Sequence, residues 1–162
     1  MKYFTKEWVN HPAAESLKAF FAQGDSNAFN DLTYRVIEEK NVVRMAYLKY
    51  QEGLMIQFPD TAEFLSRDLA DYRIVAERYE GQDLILEVRE YCGFPDVSKL
   101  TFVNAEITES EGDIVGAIWK LDELYVKDSS RWEHRLMVLQ FADDGSMRLL
   151  YRTIEADRIL VN

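Results

Sequence analysis

The chain predicts an α+β fold in which N-terminal helices pack on a mostly antiparallel, meander-like sheet of about six strands. Three observations carry that expectation. Up to about residue 70 the apolar side chains recur at intervals of three, four and seven; from Asp71 onward Val, Ile, Leu and Tyr alternate with charged residues; and the alternating runs are separated by short clusters of turn formers. A period near 3.6 gathers side chains on one helix face and a period of two divides them between sheet faces, so the change of period marks a change of element. The 162 residues, 48% apolar and 13% aromatic, suffice for a single domain over 1–162 with a sizeable core, helical over 1–70 and sheet-like over 71–162.

Trp8, Leu17, Phe20 and Phe21 indicate a short amphipathic helix that is started or interrupted near Pro12 and stopped by Gly24, with Asp25 or Ser26 placed to cap the next helix. Phe29, Leu32, Val36, Val43, Tyr47, Tyr50 and Leu54 then fall on one face of a long helix whose reach Gly53 and Pro59 limit. Asp60-Thr61-Ala62-Glu63 has the spacing of a capping box and predicts a further short helix carrying Phe64 and Leu65. Strands follow near 72–79, 84–91, 99–108, 117–126, 132–141 and 147–155, joined by connections short enough for a meander with one wet face. The alternation sends Leu84, Leu86 and Val88 to the core and Ile85, Glu87 and Arg89 away from it, and places His134, Leu136 and Val138 on one shared face. Leu100 and Phe102 join that core, as do Phe29, Leu32 and Val36 on the helical side.

Charge narrows the function. Nineteen basic and 29 acidic residues give a net charge of −10, which lacks the basic footprint of a nucleic-acid binder and disfavours acidic membrane surfaces. No apolar run is long enough to span a bilayer, and Lys2, Lys6 and Glu7 sit where a secretory leader would be apolar, so the expected location is the cytoplasm. Residues 1–75 carry 9 basic and 11 acidic side chains, whereas residues 76–162 carry 10 and 18, so the acidity belongs to the sheet half. Its densest stretch is Glu106, Glu109, Glu111 and Asp113. The single cysteine, Cys92, excludes an internal disulfide and a cysteine-rich zinc site.

Chemical signatures are sparse. Cys92 with His134 is the one Cys–His combination relevant to nucleophilic catalysis, and a lone cysteine at a strand end is otherwise a small buried hydrophobe. His11 and His134, far apart and in different halves, make no paired metal-ligand spacing; a helix-end polar residue and a hydrogen-bonded sheet histidine describe them. Asp143-Asp144-Gly145 reads as a hairpin turn, since the spaced donors of a calcium loop are missing. Asp96 after Pro95 is a turn former, and Glu106 sits where the apolar phase shifts between Phe102 and Ile107, as at a strand irregularity. No glycine-rich phosphate loop is present, and no cofactor is called for.

The opening Met1-Lys2-Tyr3-Phe4-Thr5-Lys6-Glu7-Trp8 resembles the start of a bacterial domain family of unknown function found mainly in Firmicutes. Asp68-Leu69-Ala70-Asp71-Tyr72-Arg73-Ile74 with Gly81-Gln82-Asp83-Leu84-Ile85-Leu86 resembles that family's entry into its sheet, with Ala70 where a histidine is common. The blocks Gly93–Val97, Leu100–Ile107 and Trp119–Tyr125 resemble its strand-rich end. The resemblance implies no activity, cofactor or catalytic residue. Similar strand-rich ends occur in small bacterial immunity-like proteins.

The expected function is therefore a non-enzymatic cytosolic binding protein, of immunity-like type, that meets a basic protein partner through an acidic sheet surface formed by Glu106, Glu109, Glu111, Trp119 and Asp122. Two alternatives stand beside it: a small hydrolase or other enzyme using a carboxylate or Cys92–His134 site, and a self-associating module that forms a homodimer.

Overall fold

The structure is a computed structural model describing residues 2–59, 69–90, 97–139 and 144–158, and the chain divides into two compact units, Met1–Leu65 and Ser66–Asn162. The first is helical, with α1 (Lys6–Val9), α2 (Ala14–Gln23) and α3 (Ser26–Gln57). No described helix is long and apolar enough to cross a membrane.

Local chemistry sets the break between α2 and α3. Gly24 adopts φ of 70°, a left-handed conformation that costs glycine little, and closes α2 with hydrogen bonds from Gly24 N–H to the Phe21 carbonyl and from Asp25 N–H to the Phe20 carbonyl. Asp25 then caps α3, its carboxylate accepting from the Ala28 N–H at 3.0 Å. Helix α3 continues past Gly53 to Gln57, 32 residues or about 48 Å at 1.5 Å per residue.

The residues before α2 are tied to the middle of α3 by rings. Phe4 lies 4.7 Å from Trp8 and 5.1 Å from Tyr47 between centroids, Tyr3 lies 5.2 Å from Tyr47, and the Lys40 ammonium sits 5.0 Å over the Trp8 ring. Phe4, Tyr47 and Leu54 are buried there. Phe29, Leu32 and Val36, expected in the core, are only half-buried. The ten-residue α2 is the element packed against that end of α3, and one helix against one helix leaves both flanks open to water. The expected helix over Asp60–Leu65 lies outside the described residues.

The second unit holds β1 (Tyr72–Glu80), β2 (Asp83–Glu90), β3 (Val97–Val103), β4 (Glu106–Glu111), β5 (Ile118–Val126), β6 (Trp132–Leu139), β7 (Asp144–Tyr151) and β8 (Thr153–Arg158), ordered β4-β7-β6-β5-β1-β2-β3-β8 with every pairing antiparallel. The α+β class holds, but the sheet has eight strands rather than about six, and its order is not a simple meander. The difference arises because two of the six expected runs bend. The run over 99–108 breaks at Asn104, whose φ of 52° is left-handed and whose N–H is held by the Asp83 carboxylate at 2.9 Å. The run over 147–155 breaks at Arg152, whose N–H donates to the Val103 carbonyl at 2.9 Å.

These two bent runs face each other along their whole length. Val97 to Val103 pair with Arg158 to Thr153, and Glu106 to Glu111 continue the same ladder with Leu150 to Ser146. Since β3 also pairs with β2, and β7 with β6, the ladder joins the two ends of the strand order and the sheet closes on itself. Ring contacts agree: Phe102 on β3 lies 5.9 Å from His134 on β6, where a flat sheet would separate those strands by about 19 Å at ~4.8 Å per step. The narrowest joint is β1 with β5, where Arg73 opposes Ile118 and irregularities at Ile74/Ala76 and Trp119/Leu121 flank the pairing.

Inside the closed sheet Leu84, Leu86, Val88, Leu100, Phe102, Leu136 and Val138 are buried, as their alternation predicts. Ile85, expected to face water, is buried as well, and so are Glu123, Glu133 and Met137 on outward positions of β5 and β6. The sheet therefore lacks a uniformly wet face.

Candidate functional site

Two places in the sheet unit gather charged or titratable groups. The first lies inside. Register sets Leu124 opposite His134 and Asp122 opposite Leu136, so Asp122 and His134 share the inward face. Trp119 joins them because the irregularity around Lys120 inserts one residue; without it, a spacing of three would send Trp119 and Asp122 to opposite faces. The Asp122 carboxylate is gripped from two sides, Oδ2 lying 2.8 Å from His134 Nε2 and Oδ1 accepting from the Trp119 indole N–H at 3.1 Å. A carboxylate oxygen accepts, so His134 Nε2 is assigned as the donor in this bond.

His134 is fully buried among Trp119, Phe102 and Tyr151, with centroid distances of 5.7, 5.9 and 6.2 Å, whereas the Asp122 side chain retains 29% of its exposure. The carboxylate thus faces the interior yet reaches solvent, while the imidazole behind it meets only protein. This arrangement orients Asp122 and satisfies two buried donors. It does not present His134 to a dissolved substrate.

The second place lies outside, on β4 and its neighbours. Glu106, Glu109 and Glu111 are exposed on β4. Glu109 accepts from Arg148 at 2.8 Å, and Arg148 also donates to Glu133 at 2.9 Å, which Arg135 meets at 2.6 Å from the other side. Burial pushes the Glu133 carboxyl up, but the hydrogen bonds and charges of Arg148 and Arg135 outweigh it and hold the group below the ordinary carboxylate range. Arg135 also stacks 5.2 Å over Tyr125, whose hydroxyl bonds to Glu123. A ladder of alternating charge thus crosses β4, β7 and β6. Composition alone did not reveal Glu133, Arg135 and Arg148, because their pairing depends on strand register.

Pairing of β2 with β3 reaches only to Phe102, so β4, which continues the closing ladder past that point, is paired with β7 on one side and, among the described residues, with no strand on the other. The Tyr79 hydroxyl meets the Ile107 backbone.

Of the five residues expected to form one acidic surface, the structure groups Glu106, Glu109 and Glu111 on β4 and separates them from Trp119 and Asp122. Trp119 is 1% exposed, so the outward aromatic contact expected of it is absent from the folded unit. His11 belongs to the helical unit, bonded to Glu39 at 3.0 Å, and His134 to the sheet unit. Cys92 and Asp96 lie outside the described residues. Among the described residues no group of three or more His, Cys, Asp and Glu side chains is placed to hold a metal ion. No family model, curated protein or solved structure matches the chain.

Proposed function

We propose that this chain is a non-enzymatic binding protein that receives a basic, extended segment of a partner protein along strand β4. The observation that carries the reading is the coincidence of an end strand with three exposed carboxylates, Glu106, Glu109 and Glu111. Among the described residues no strand pairs with β4 on the side away from β7; such an edge offers backbone donors and acceptors to an added strand, and side chains at its rim set which segment fits. Here the rim selects for lysine and arginine. It also disfavours pairing of β4 with β4 of another copy, which would bring carboxylates against carboxylates. The same acids keep sheet edges from aggregating, so the measurement must separate recruitment from protection.

The test uses an alternating Lys–Val peptide as probe, with association rates followed across a salt series for the native chain and for Glu106→Gln/Glu109→Gln/Glu111→Gln. Recruitment requires fast association that slows as salt shortens the Debye length to ~8 Å at physiological strength, and a slower, flatter profile in the variant. Equal rates and equal salt slopes would remove the proposal. The enzyme alternative has one observation in its favour, the solvent-reaching Asp122, and turnover lost in Asp122→Asn but kept in the β4 variant would replace the binding reading with it.

A further inference from the structure

We infer that α3 pairs antiparallel with the α3 of a second copy of this chain. The face of α3 turned toward Phe4 and Trp8 is occupied by Tyr47 and its neighbours, but a second stripe runs along the helix: Tyr34, Ile37, Asn41, Met45, Leu48, Glu52 and Ile56, separated by 3, 4, 4, 3, 4 and 4 residues. That is an eleven-residue repeat, 3.67 residues per turn, which keeps the stripe nearly straight along the axis. Every residue of it is exposed, with Tyr34, Met45 and Ile56 at 69%, 63% and 85%, and Val42 at its margin at 71%. Isolated exposed apolar residues are ordinary; a stripe of five at helical spacing over 23 residues is a contact surface.

Charge complementarity selects the occupant. Glu38 and Lys49 are exposed on the same flank of the stripe, with Arg35 beyond them and Glu52 in the stripe itself. When two α3 helices run antiparallel about an axis between Val43 and Arg44, Glu38 of each copy stands level with Lys49 of the other, and Arg35 with Glu52. Both oppositions arise in one register. The same register sets Val42 against Met45, and drops Leu48 between Ile37 and Asn41 of the other helix. A parallel, in-register pair would instead set Glu52 against Glu52 in the seam and carry the Glu38/Lys49 flanks of the two copies to opposite sides of it, so the Glu38–Lys49 oppositions would not form. Asn41 in the seam lowers stability and narrows the choice of register, the role a seam asparagine has in paired helices. This surface is independent of β4, so either proposal can stand without the other.

Sedimentation equilibrium of the full chain from 1 to 100 μM tests it. The expected limit is twice the 19.0 kDa of one chain. Met45→Glu/Leu48→Glu should give monomer throughout with an unchanged circular dichroism spectrum, since both side chains are exposed in the single copy. Glu38→Lys should weaken association by roughly tenfold, and Glu38→Lys/Lys49→Glu should restore it to within about threefold, because two symmetric oppositions change sign together. A mass of one chain at all concentrations, a dimer that survives the Met45/Leu48 variant, or a charge exchange that fails to restore association would each overturn the inference. The charge variants change only exposed residues and keep the test decisive if the double glutamate variant folds poorly.

Discussion

Asp122 is the residue on which the sheet interior turns, because one carboxylate serves two buried donors. Replacing it with Ala removes the acceptor that Trp119 Nε1 and His134 Nε2 share, and should cost ~1–3 kcal/mol for each donor left without a partner. Asp122→Asn keeps one carbonyl oxygen and should cost less. Urea unfolding followed by tryptophan fluorescence checks the order; an Ala variant as stable as the native chain would show that the network contributes nothing. Two other carboxylates give opposite pH signatures. Glu133 is held below its ordinary value of 4.5, so the stability it contributes is present above that value and lost as pH falls through its folded value. Glu77 is raised, first by burial and then by the charge of Asp113, so its ionised form carries a penalty in the folded chain at neutral pH that vanishes once it is protonated in both states. Glu133→Gln should therefore destabilise at pH 7 and Glu77→Gln stabilise, with both differences shrinking toward pH 3 in thermal melts. Little of this residue-scale detail was legible in the sequence. Strand alternation correctly joined His134, Leu136 and Val138, but the inserted residue at Lys120 turned Trp119 and Asp122 to the same inward face, and a composition rich in acids and aromatics carries no mark of such an insertion.

At the scale of elements, the sequence showed six alternating runs and the molecule uses all six, two of them twice. What divides them is a local conformation, left-handed at Asn104 and a break in pairing at Arg152, which redirects a strand without interrupting its apolar alternation. The shift of phase between Phe102 and Ile107 was the one visible sign. Closure then depends on tight approach where β4, β7 and β6 meet. A Cβ at Gly145 would come within 3.0 Å of Val138 Cγ2 and 3.1 Å of the Glu111 carbonyl oxygen, and the latter is backbone that cannot rotate aside. Gly145→Ala should therefore cost ~1–3 kcal/mol and loosen β4 in particular. Guanidinium unfolding gives the size of the loss, and amide exchange across Glu106–Glu111 gives its place; a neutral substitution would mean that β4 yields without cost. The exposed carboxylates of β4 were legible as an acidic cluster, but that they line an end strand was not, since strand order is a property of pairing rather than of any single segment.

The whole molecule is unequal in its two units. Among the described residues the closed sheet buries apolar side chains on six strands, with Leu84, Leu86, Leu100 and Phe102 at 0% exposure, whereas in the helical unit Phe4, Tyr47 and Leu54 are the buried apolar side chains. Local opening costs less where fewer apolar contacts must be broken, so the two units should differ in hydrogen exchange even when both are native. In a dilute sample the amides of α3 should exchange well before those of β2, β3 and β6. The helix has a further source of protection if its second stripe is occupied. Association adds a free energy that grows with chain concentration by mass action, whereas packing within one chain does not depend on concentration. Exchange over Tyr34–Ile56 should accordingly slow between 1 and 100 μM, with the amides of the closed sheet unchanged and with the effect abolished in Met45→Glu/Leu48→Glu. Concentration-independent exchange over α3 would mean that its stripe stays open to water, and uniform protection across both units would mean that the helical unit draws stability from contacts other than the three side chains buried within it.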